Sequence, residues 1–190
     1  MSGHGHGVEH ADPSNKRIGL LIAVLALILA FSETLGKGAQ TAALSYNVEA
    51  SNLWAFFQAK TVRMTTLRTA GELLELELAP AGPQRKEALE KRISDWRKTA
   101  ERYDNEPETG EGRKQLAARA KQAEEKRDRS LAAYHHYELA SAAVQIGIVL
   151  ASATVITGMV VLAWLAGGLG VVGIVFSLIA FFAPTAVHLF

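Results

Sequence analysis

Five ionisable side chains stand at the borders of apolar stretches in this sequence, where imidazole and carboxylate groups could carry protons or ions. Such groups are costly to place at membrane depth and often serve ion or proton pathways there. The sequence predicts that they gather at one membrane interface, where they could line such a path. The alternative is that they lie in headgroup water, with Glu33 paired to a histidine or to Lys37. The five residues are Glu33, His135, His136, Glu138 and His188.

Three further histidines, His4, His6 and His10, lie in the glycine-rich start of the chain. Imidazoles on such a tail could converge on a divalent metal, but a stable site needs a fixed geometry. We therefore expect residues 1–17 to form a flexible tail without a metal. The chain has no cysteine and no nucleotide-binding, nucleophile-elbow or zinc-protease motif. We expect no catalytic, cofactor-binding or metal-binding residue, and a protein that is not an enzyme.

The charged residues are segregated along the chain. Of the 39 charged residues, 33 lie between Lys37 and Arg129, and none lies from Leu139 to the end. This partition is typical of a membrane protein with one extramembrane portion. The net charge of +1 provides no basic field for nucleic acid, so a lipid bilayer is the expected partner and nucleic acid is not.

Three apolar stretches have the length of transmembrane helices. Residues 18–35 are long enough to cross the hydrocarbon core, and the uncharged run after Glu138 is long enough for two more crossings. The glycine pair Gly167-Gly168 is the expected turn within that run. The sequence therefore predicts transmembrane helices at 18–35, 139–165 and 170–190.

Basic residues beside these stretches bear on membrane orientation. Lys16 and Arg17 resemble the start of a signal peptide, but the cleavage pattern is weak, so we predict an uncleaved anchor. Compared with the single Lys37 beyond the first stretch, they favour a cytoplasmic N-terminus. Three basic residues before the second stretch favour the opposite orientation, with a cytoplasmic central region: Lys126, Arg127 and Arg129.

Residues 36–138 are predicted to form an extramembrane region of three helices, at about 40–79, 84–105 and 113–138. Proline and glycine interrupt the pattern at 79–83 and again at 106–112. The second and third helices together match the length of the first. We therefore favour a long antiparallel hairpin, resembling a coiled coil, over a compact three-helix bundle. The predicted fold class is an all-α membrane protein with three transmembrane helices and this hairpin between the first and second.

Large side chains mark the packing seam of the hairpin. The aromatic residues Trp54, Phe56 and Phe57 are expected to pack against a face of small residues on the returning helix. The rival interpretation bends the chain at Gly36 and Gly38 and lays the aromatic helix on the bilayer surface. Apolar residues spaced four and three apart extend the seam along the second helix; they are Leu89, Ile93, Trp96, Ala100 and Tyr103. The small residues of the returning helix are Leu116, Ala117, Ala118, Ala120 and Ala123.

Small residues recur every fourth position in the second transmembrane stretch, at Ala143, Gly147 and Ala151. Such a stripe lets helices approach closely in lipid, where no hydrophobic drive brings them together. We expect it to serve a packed bundle or a homo-oligomer; a span that is merely rich in alanine and glycine is the alternative.

Two blocks of the sequence resemble a known family. NVEASNLWAFFQAKTVR (Asn47 to Arg63) and YHHYELASAAVQIGIVLASATVIT (Tyr134 to Thr157) are similar, in order and spacing, to the bacterial membrane family called domain of unknown function 4337. The resemblance implies a small, helical bacterial membrane protein, located in the inner membrane. The family has no established activity, so no catalytic residue is carried over.

Together these patterns predict a self-associating inner-membrane protein whose helical stalk organises or binds partner proteins. The alternative is a subunit of an oligomeric channel or transport-related complex, in which Glu33 and the interfacial histidines line a path. A third hypothesis is a sensor of bilayer state that uses its aromatic helix as a surface probe.

Overall fold

The computed structural model describes residues 13–187, and within that range the chain is helical with no β-strand. Three of the four helices are long and apolar enough to cross a membrane: α1, α3 and α4. The all-helical class with three candidate membrane spans agrees with the sequence prediction. The tail histidines and His188 lie outside the described residues. The helices are α1 (Pro13–Leu76), α2 (Pro83–Asp104), α3 (Arg113–Thr157) and α4 (Val160–Phe182).

Helix α1 is a single element of 64 residues. The sequence predicts a span at 18–35 and an extramembrane helix from about residue 40, and the structure joins both ranges in one continuous helix. No proline occurs from Asn15 to Leu76, and helix formers predominate, so nothing in the backbone ends the helix. The helix also runs without a break through Gly36 and Gly38, which removes the bend on which the surface-lying interpretation depends.

The turn between α3 and α4 lies nine residues before the expected glycine pair. Gly158 has a φ of +71°, the left-handed conformation that glycine adopts without a steric cost. Its N–H donates to the Thr154 carbonyl at 2.9 Å, and the Thr157 hydroxyl accepts from the Met159 N–H at 3.3 Å. The turn predicted at Gly167-Gly168 is therefore wrong, because both glycines lie within α4.

Prolines and glycines delimit α2 as the sequence predicts. Gly82 is the N-cap and Pro83 the first helical residue, a position where the missing N–H costs nothing. The connection from α2 to α3 contains Gly110, with a φ of +70°. α3 then continues without a break into its apolar half, which agrees with the predicted third helix.

The chain divides into two compact units. The terminal unit comprises the residues up to Ala42 and those from Arg129 onward, and the central unit is Ala43–Asp128.

In the terminal unit, side chains from one helix fill the space left by glycines on another. Leu25 on α1 lies against Gly170 on α4, where an added Cβ would come within 2.6 Å of Leu25 Cδ2. Val144 on α3 lies in the same way against Gly173. The side chains of this unit's core are small, and they interlock at close helix approach, as is common for helices in lipid. Its buried core residues are Leu25, Val144, Ala151 and Ala166.

In the central unit, α2 and then α3 run back along α1. The contacts follow an antiparallel order: as the residue numbers increase along α2 and α3, the residue numbers of their partners on α1 decrease. This order agrees with the predicted hairpin and its interruption near Pro107. The paired residues are Glu77–Arg85, Glu75–Arg97, Thr61–Arg113, Trp54–Glu124 and Tyr46–Lys126.

Candidate functional site

A cleft of about 320 Å³ opens between α1 and α3 within the terminal unit. Its floor is formed where Gly36 meets Tyr137, since a Cβ at Gly36 would lie 3.2 Å from Tyr137 Cβ. The absence of a side chain at Gly36 therefore sets how closely the two helices approach. Polar residues at helical spacing form both walls: Ser32, Glu33, Lys37 and Gln40 on α1, and Tyr134, Glu138, Ser141 and Gln145 on α3.

Two carboxylates and one ammonium line this cleft. Glu33 Oε1 accepts a hydrogen bond of 3.3 Å from Gln145 Nε2, across from α3. Within the described range, the partner of Glu33 is thus an amide and not His135, His136 or Lys37. The Lys37 ammonium forms no ion pair with any carboxylate among residues 13–187, although Glu33 lies one turn away. The cleft therefore has one cationic side chain that the described protein leaves unpaired.

The predicted interfacial group is only partly brought together. Glu33 and Glu138 line the same cleft, and His135 Nδ1 lies 3.6 Å from Glu138 Oε2. His136 points elsewhere: it is 1% exposed, and its Nε2 lies 3.1 Å from the Pro184 carbonyl oxygen. Since a carbonyl only accepts, Nε2 carries the hydrogen in this bond.

His136 is a packing residue of the terminal unit. Its ring stacks on Phe176 of α4 with centroids 6.1 Å apart, and its Nδ1 is buried without a partner among the described residues. Its contacts are to α4 and the segment that follows α4. The structure thus separates His136 from the carboxylates with which the sequence groups it.

Two of the three aromatic residues of α1 line the core of the central unit, whereas Phe56, which the sequence predicts there as well, is 37% exposed. Trp54 and Phe57 pack against a buried cluster that contains Leu116, Ala120 and Ala123 of α3. The rings of Trp54 and Phe57 are arranged edge to face, with their centroids 5.4 Å apart. The predicted contact between large aromatic side chains and small residues of the returning helix is present.

Lys60 is buried beside this block, a role that its type alone does not suggest. It is 6% exposed, and its Nζ lies 3.5 Å from Glu106 Oε2 and 3.7 Å from Glu111 Oε2. The same ammonium lies 5.3 Å from the Phe56 ring centroid and 5.2 Å from that of Tyr103. The signal in the sequence is a lysine at a seam position one turn after an aromatic residue, followed much later by an acidic loop.

Arg113, at the start of α3, is a second cation that the seam pattern does not reveal. Its guanidinium lies 4.9 Å from the Phe57 ring centroid and 3.0 Å from Asp104 Oδ1. It also donates to the Thr61 hydroxyl at 2.8 Å. One side chain thus joins all three helices of the central unit.

The predicted seam residues of α2 occupy different environments. Ile93 is buried and lines a groove with Leu67 and Gly71 of α1, whereas Leu89 is half-buried. Trp96 is half-buried, with the Arg92 guanidinium 5.5 Å from its ring centroid. Arg92, one turn earlier on α2, therefore covers part of the Trp96 ring, and the aromatic residues that pack on α3 are Trp54 and Phe57 of α1.

Two of the three small residues predicted as a stripe in the second transmembrane stretch, Gly147 and Ala151, are buried within the terminal unit. A Cβ at Gly147 would lie 3.2 Å from the Ala166 carbonyl oxygen, and Ala151 is fully buried. Ala143 is only half-buried. Gly147 and Ala151 are thus already covered within the chain.

An uncharged stripe runs along α1 on the side opposite the central core. Its members fall within an arc of about 80° at 100° per residue. All are exposed, including Val62 at 65% and Leu73 at 61%. We name it the α1 stripe, and it consists of Leu44, Val48, Ser51, Ala55, Gln58, Val62, Thr66, Thr69, Leu73 and Leu76.

The comparisons with known proteins address the chain as a whole. Neither a curated protein nor a solved structure matches it. A family profile described as "Domain of unknown function (DUF4337)" matches residues 14–183, which include all four helices except the first residue of α1. The family suggested by the two sequence blocks is therefore confirmed, and the chain belongs to the domain of unknown function 4337 family.

Proposed function

We propose that this chain is a non-enzymatic membrane protein whose terminal unit lies in the bilayer and whose central unit associates with other copies outside it. Exposed apolar side chains support membrane insertion. Trp164 is 79% exposed, and Leu27, Phe31, Val149 and Val171 are exposed on their helices. Contiguous exposure of this kind is unfavourable in water and favourable in a hydrocarbon solvent.

The α1 stripe is the observation that carries self-association. The rest of the region is dense in charge, yet ten consecutive stripe positions carry none. Near the middle, Ser51 and Ala55 are small enough for close approach of a second helix. Burial against a partner helix is favoured by about 25 cal/mol per Å² of apolar surface removed from water. The large exposed apolar residues of the stripe that would gain from it are Leu44, Val48, Val62, Leu73 and Leu76.

The first experiment measures membrane insertion and then the mass of the complex. Vesicles containing the protein are floated and washed with carbonate, and an integral protein remains with the lipid. The mass in nanodiscs, with lipid subtracted, then gives the number of copies. We expect a dimer or a larger assembly, and we expect its mass to fall in the variant Val62→Lys/Leu73→Lys.

The matched control is Ala118→Lys/Gln122→Lys, which places the same charges on the exposed face of α3. We expect it to leave the assembly intact. A protein that is monomeric at every concentration would contradict self-association and would leave a different protein as the occupant of the stripe. The N-terminus in the cytoplasm and location in a bacterial inner membrane complete the proposal.

The cleft supports a second candidate function, a subunit of an oligomeric channel. Glu33 and Glu138 both line it, and carboxylates at a membrane interface attract cations. Three spans are too few to enclose a pore, so this function requires a ring of subunits. Cation flux into liposomes that is equal for wild type and Glu33→Gln would remove that role for Glu33.

A further inference from the structure

We propose that the cleft between α1 and α3 binds the headgroup of a phospholipid that carries both a phosphate and a primary ammonium, as in phosphatidylethanolamine. This inference rests on the proposed insertion of the terminal unit in a bilayer. It assigns a ligand to a cavity that lies within the size range of small-molecule sites, which begins at about 300 Å³.

The carboxylates provide the ammonium subsite. Glu33 belongs to α1 and Glu138 to α3, so acceptors stand on both walls. Among residues 13–187, Glu33 accepts one long hydrogen bond, from Gln145, and an ionised carboxylate has about four acceptor positions. A primary ammonium brings three N–H donors and can bond both walls at once. A quaternary ammonium has none.

Lys37 provides the phosphate subsite. Its ammonium has no carboxylate partner within residues 13–187, so its charge is available to an anion in the cleft. Gln40 on α1 and the hydroxyl-bearing residues Tyr134 and Ser141 on α3 line the same space and can donate to phosphate oxygens.

The charge balance of the cleft discriminates among lipids. Two carboxylates and one lysine give a formal charge of −1 at neutral pH. A headgroup with phosphate alone would meet net repulsion, whereas one that also carries an ammonium complements both signs. The cleft is therefore suited to a zwitterion with N–H donors.

The position of the cleft along the helices argues for a lipid rather than a soluble phosphate ester. It lies where the uncharged stretches end, at Glu33 on α1 and at Glu138 on α3. In an inserted protein this level corresponds to the headgroups. Exposed apolar residues continue from it on both helices, such as Phe31 and Ile146, and offer a surface for acyl chains.

The test measures which lipids stay with the purified protein. Wild-type protein is reconstituted in vesicles of phosphatidylethanolamine, phosphatidylcholine and phosphatidylglycerol in equal parts, extracted in mild detergent, and its retained lipid is quantified by mass spectrometry. We expect phosphatidylethanolamine to exceed its share of the vesicles by about three- to tenfold, a difference of about 0.7–1.4 kcal/mol in binding.

Two cleft variants and two controls make the test specific. Glu33→Gln/Glu138→Gln keeps side-chain size and removes the ammonium subsite, so the enrichment is expected to vanish. Lys37→Gln is expected to reduce it severalfold. Glu125→Gln and Lys121→Gln make the same changes at exposed positions of the central unit and should retain it. Circular dichroism verifies that each variant is folded.

The outcomes separate this inference from the proposed function. Protein that inserts and floats but retains lipids in their bulk ratio, or enriches phosphatidylethanolamine equally with and without the carboxylates, overturns the headgroup site alone. Protein that does not insert overturns both. A last measurement distinguishes a lipid from a soluble ligand: soluble phosphoethanolamine is added to the protein in phosphatidylcholine nanodiscs, and its binding is measured. If the soluble compound binds and phosphatidylethanolamine is not enriched, the ligand is a soluble one and the lipid assignment is overturned.

Discussion

Trp54 Nε1 donates a hydrogen bond of 2.9 Å to Glu124 Oε1, joining positions 70 residues apart in the chain. The indole ring lies against the apolar core of the central unit, while its N–H reaches a half-buried carboxylate. Apolar contacts alone tolerate sliding of one helix along another. A directional bond between one donor and one acceptor fixes the register of α3 on α1.

Removing this acceptor is expected to destabilise the central unit. Glu124→Ala leaves the indole N–H without its charged partner, which costs about 1–2 kcal/mol. Thermal unfolding followed by circular dichroism should show a lower Tm. Glu125→Ala, at an exposed neighbouring position, is the control. In the Trp54→Phe background, Glu124→Ala should cost less; equal costs in both backgrounds would mean that the bond contributes nothing.

Neutralising Lys60 is expected to destabilise the junction of α1 with the α2–α3 connection. Lys60→Met keeps the aliphatic stem but leaves Glu106, whose side chain is 19% exposed, with only the exposed Arg102 guanidinium, 3.7 Å from its Oε1. Because Glu111 is half exposed, we expect a loss of about 1–3 kcal/mol, below that of a fully buried pair. The exposed Lys121→Met is the matched control.

Lys60→Arg should recover most of that stability, because it restores the charge near Phe56 and Tyr103. The measurement is the Tm of each variant under the same detergent conditions. A Lys60→Met protein as stable as wild type would mean that the desolvation cost of the buried ammonium cancels its attraction to the carboxylates.

Two glycines on one helix should respond in opposite ways to the same substitution. Gly170→Ala places a Cβ against Leu25, and overpacking of this kind costs about 1–3 kcal/mol. Gly168→Ala meets open space and gains helix propensity of up to about 1 kcal/mol. Thermal unfolding of the two variants should therefore give Tm changes of opposite sign.

A double-mutant cycle attributes the cost at Gly170 to one contact. In a Leu25→Ala background the obstructing atoms are gone, so Gly170→Ala should cost clearly less than in wild type. An undiminished cost would assign the effect to the backbone of α4 rather than to the approach of α1.

Helix content and the antiparallel hairpin could be predicted because local signals are strong. Proline and glycine interrupt the chain near Pro83 and Pro107, and the aromatic block and the small residues of α3 are each visible in short windows. The end of an apolar helix is harder to predict from the sequence, because glycine does not always mark it. Glycines can lie within a helix where a neighbouring side chain packs against them. Gly170 and Gly173 stay helical because Leu25 and Val144 fill the space beside them.

The composition of the candidate site depends on contacts that no spacing rule reveals. Glu33 and Glu138, which the sequence groups by their position at the ends of apolar stretches, line one cleft. The positions of apolar stretches in the sequence do not show which way each helix is rotated about its axis. That rotation directs His136 towards α4 and the segment after it, and its neighbour Tyr137 towards Gly36. The burial of Lys60 could not be predicted because its carboxylate partners, Glu106 and Glu111, come from a loop distant in sequence.

The two-residue connection between α3 and α4 has a consequence for biogenesis. Only Gly158 and Met159 separate the helices, and neither carries charge. Under the proposed insertion, this connection crosses the hydrocarbon core without carrying an ionised side chain. Placing one Arg, Lys or Asp at the centre of the bilayer would cost about 2.5–3.5 kcal/mol. The apolar half of α3 and the whole of α4 can then enter the bilayer together as a preformed pair, because no charged loop between them has to be translocated.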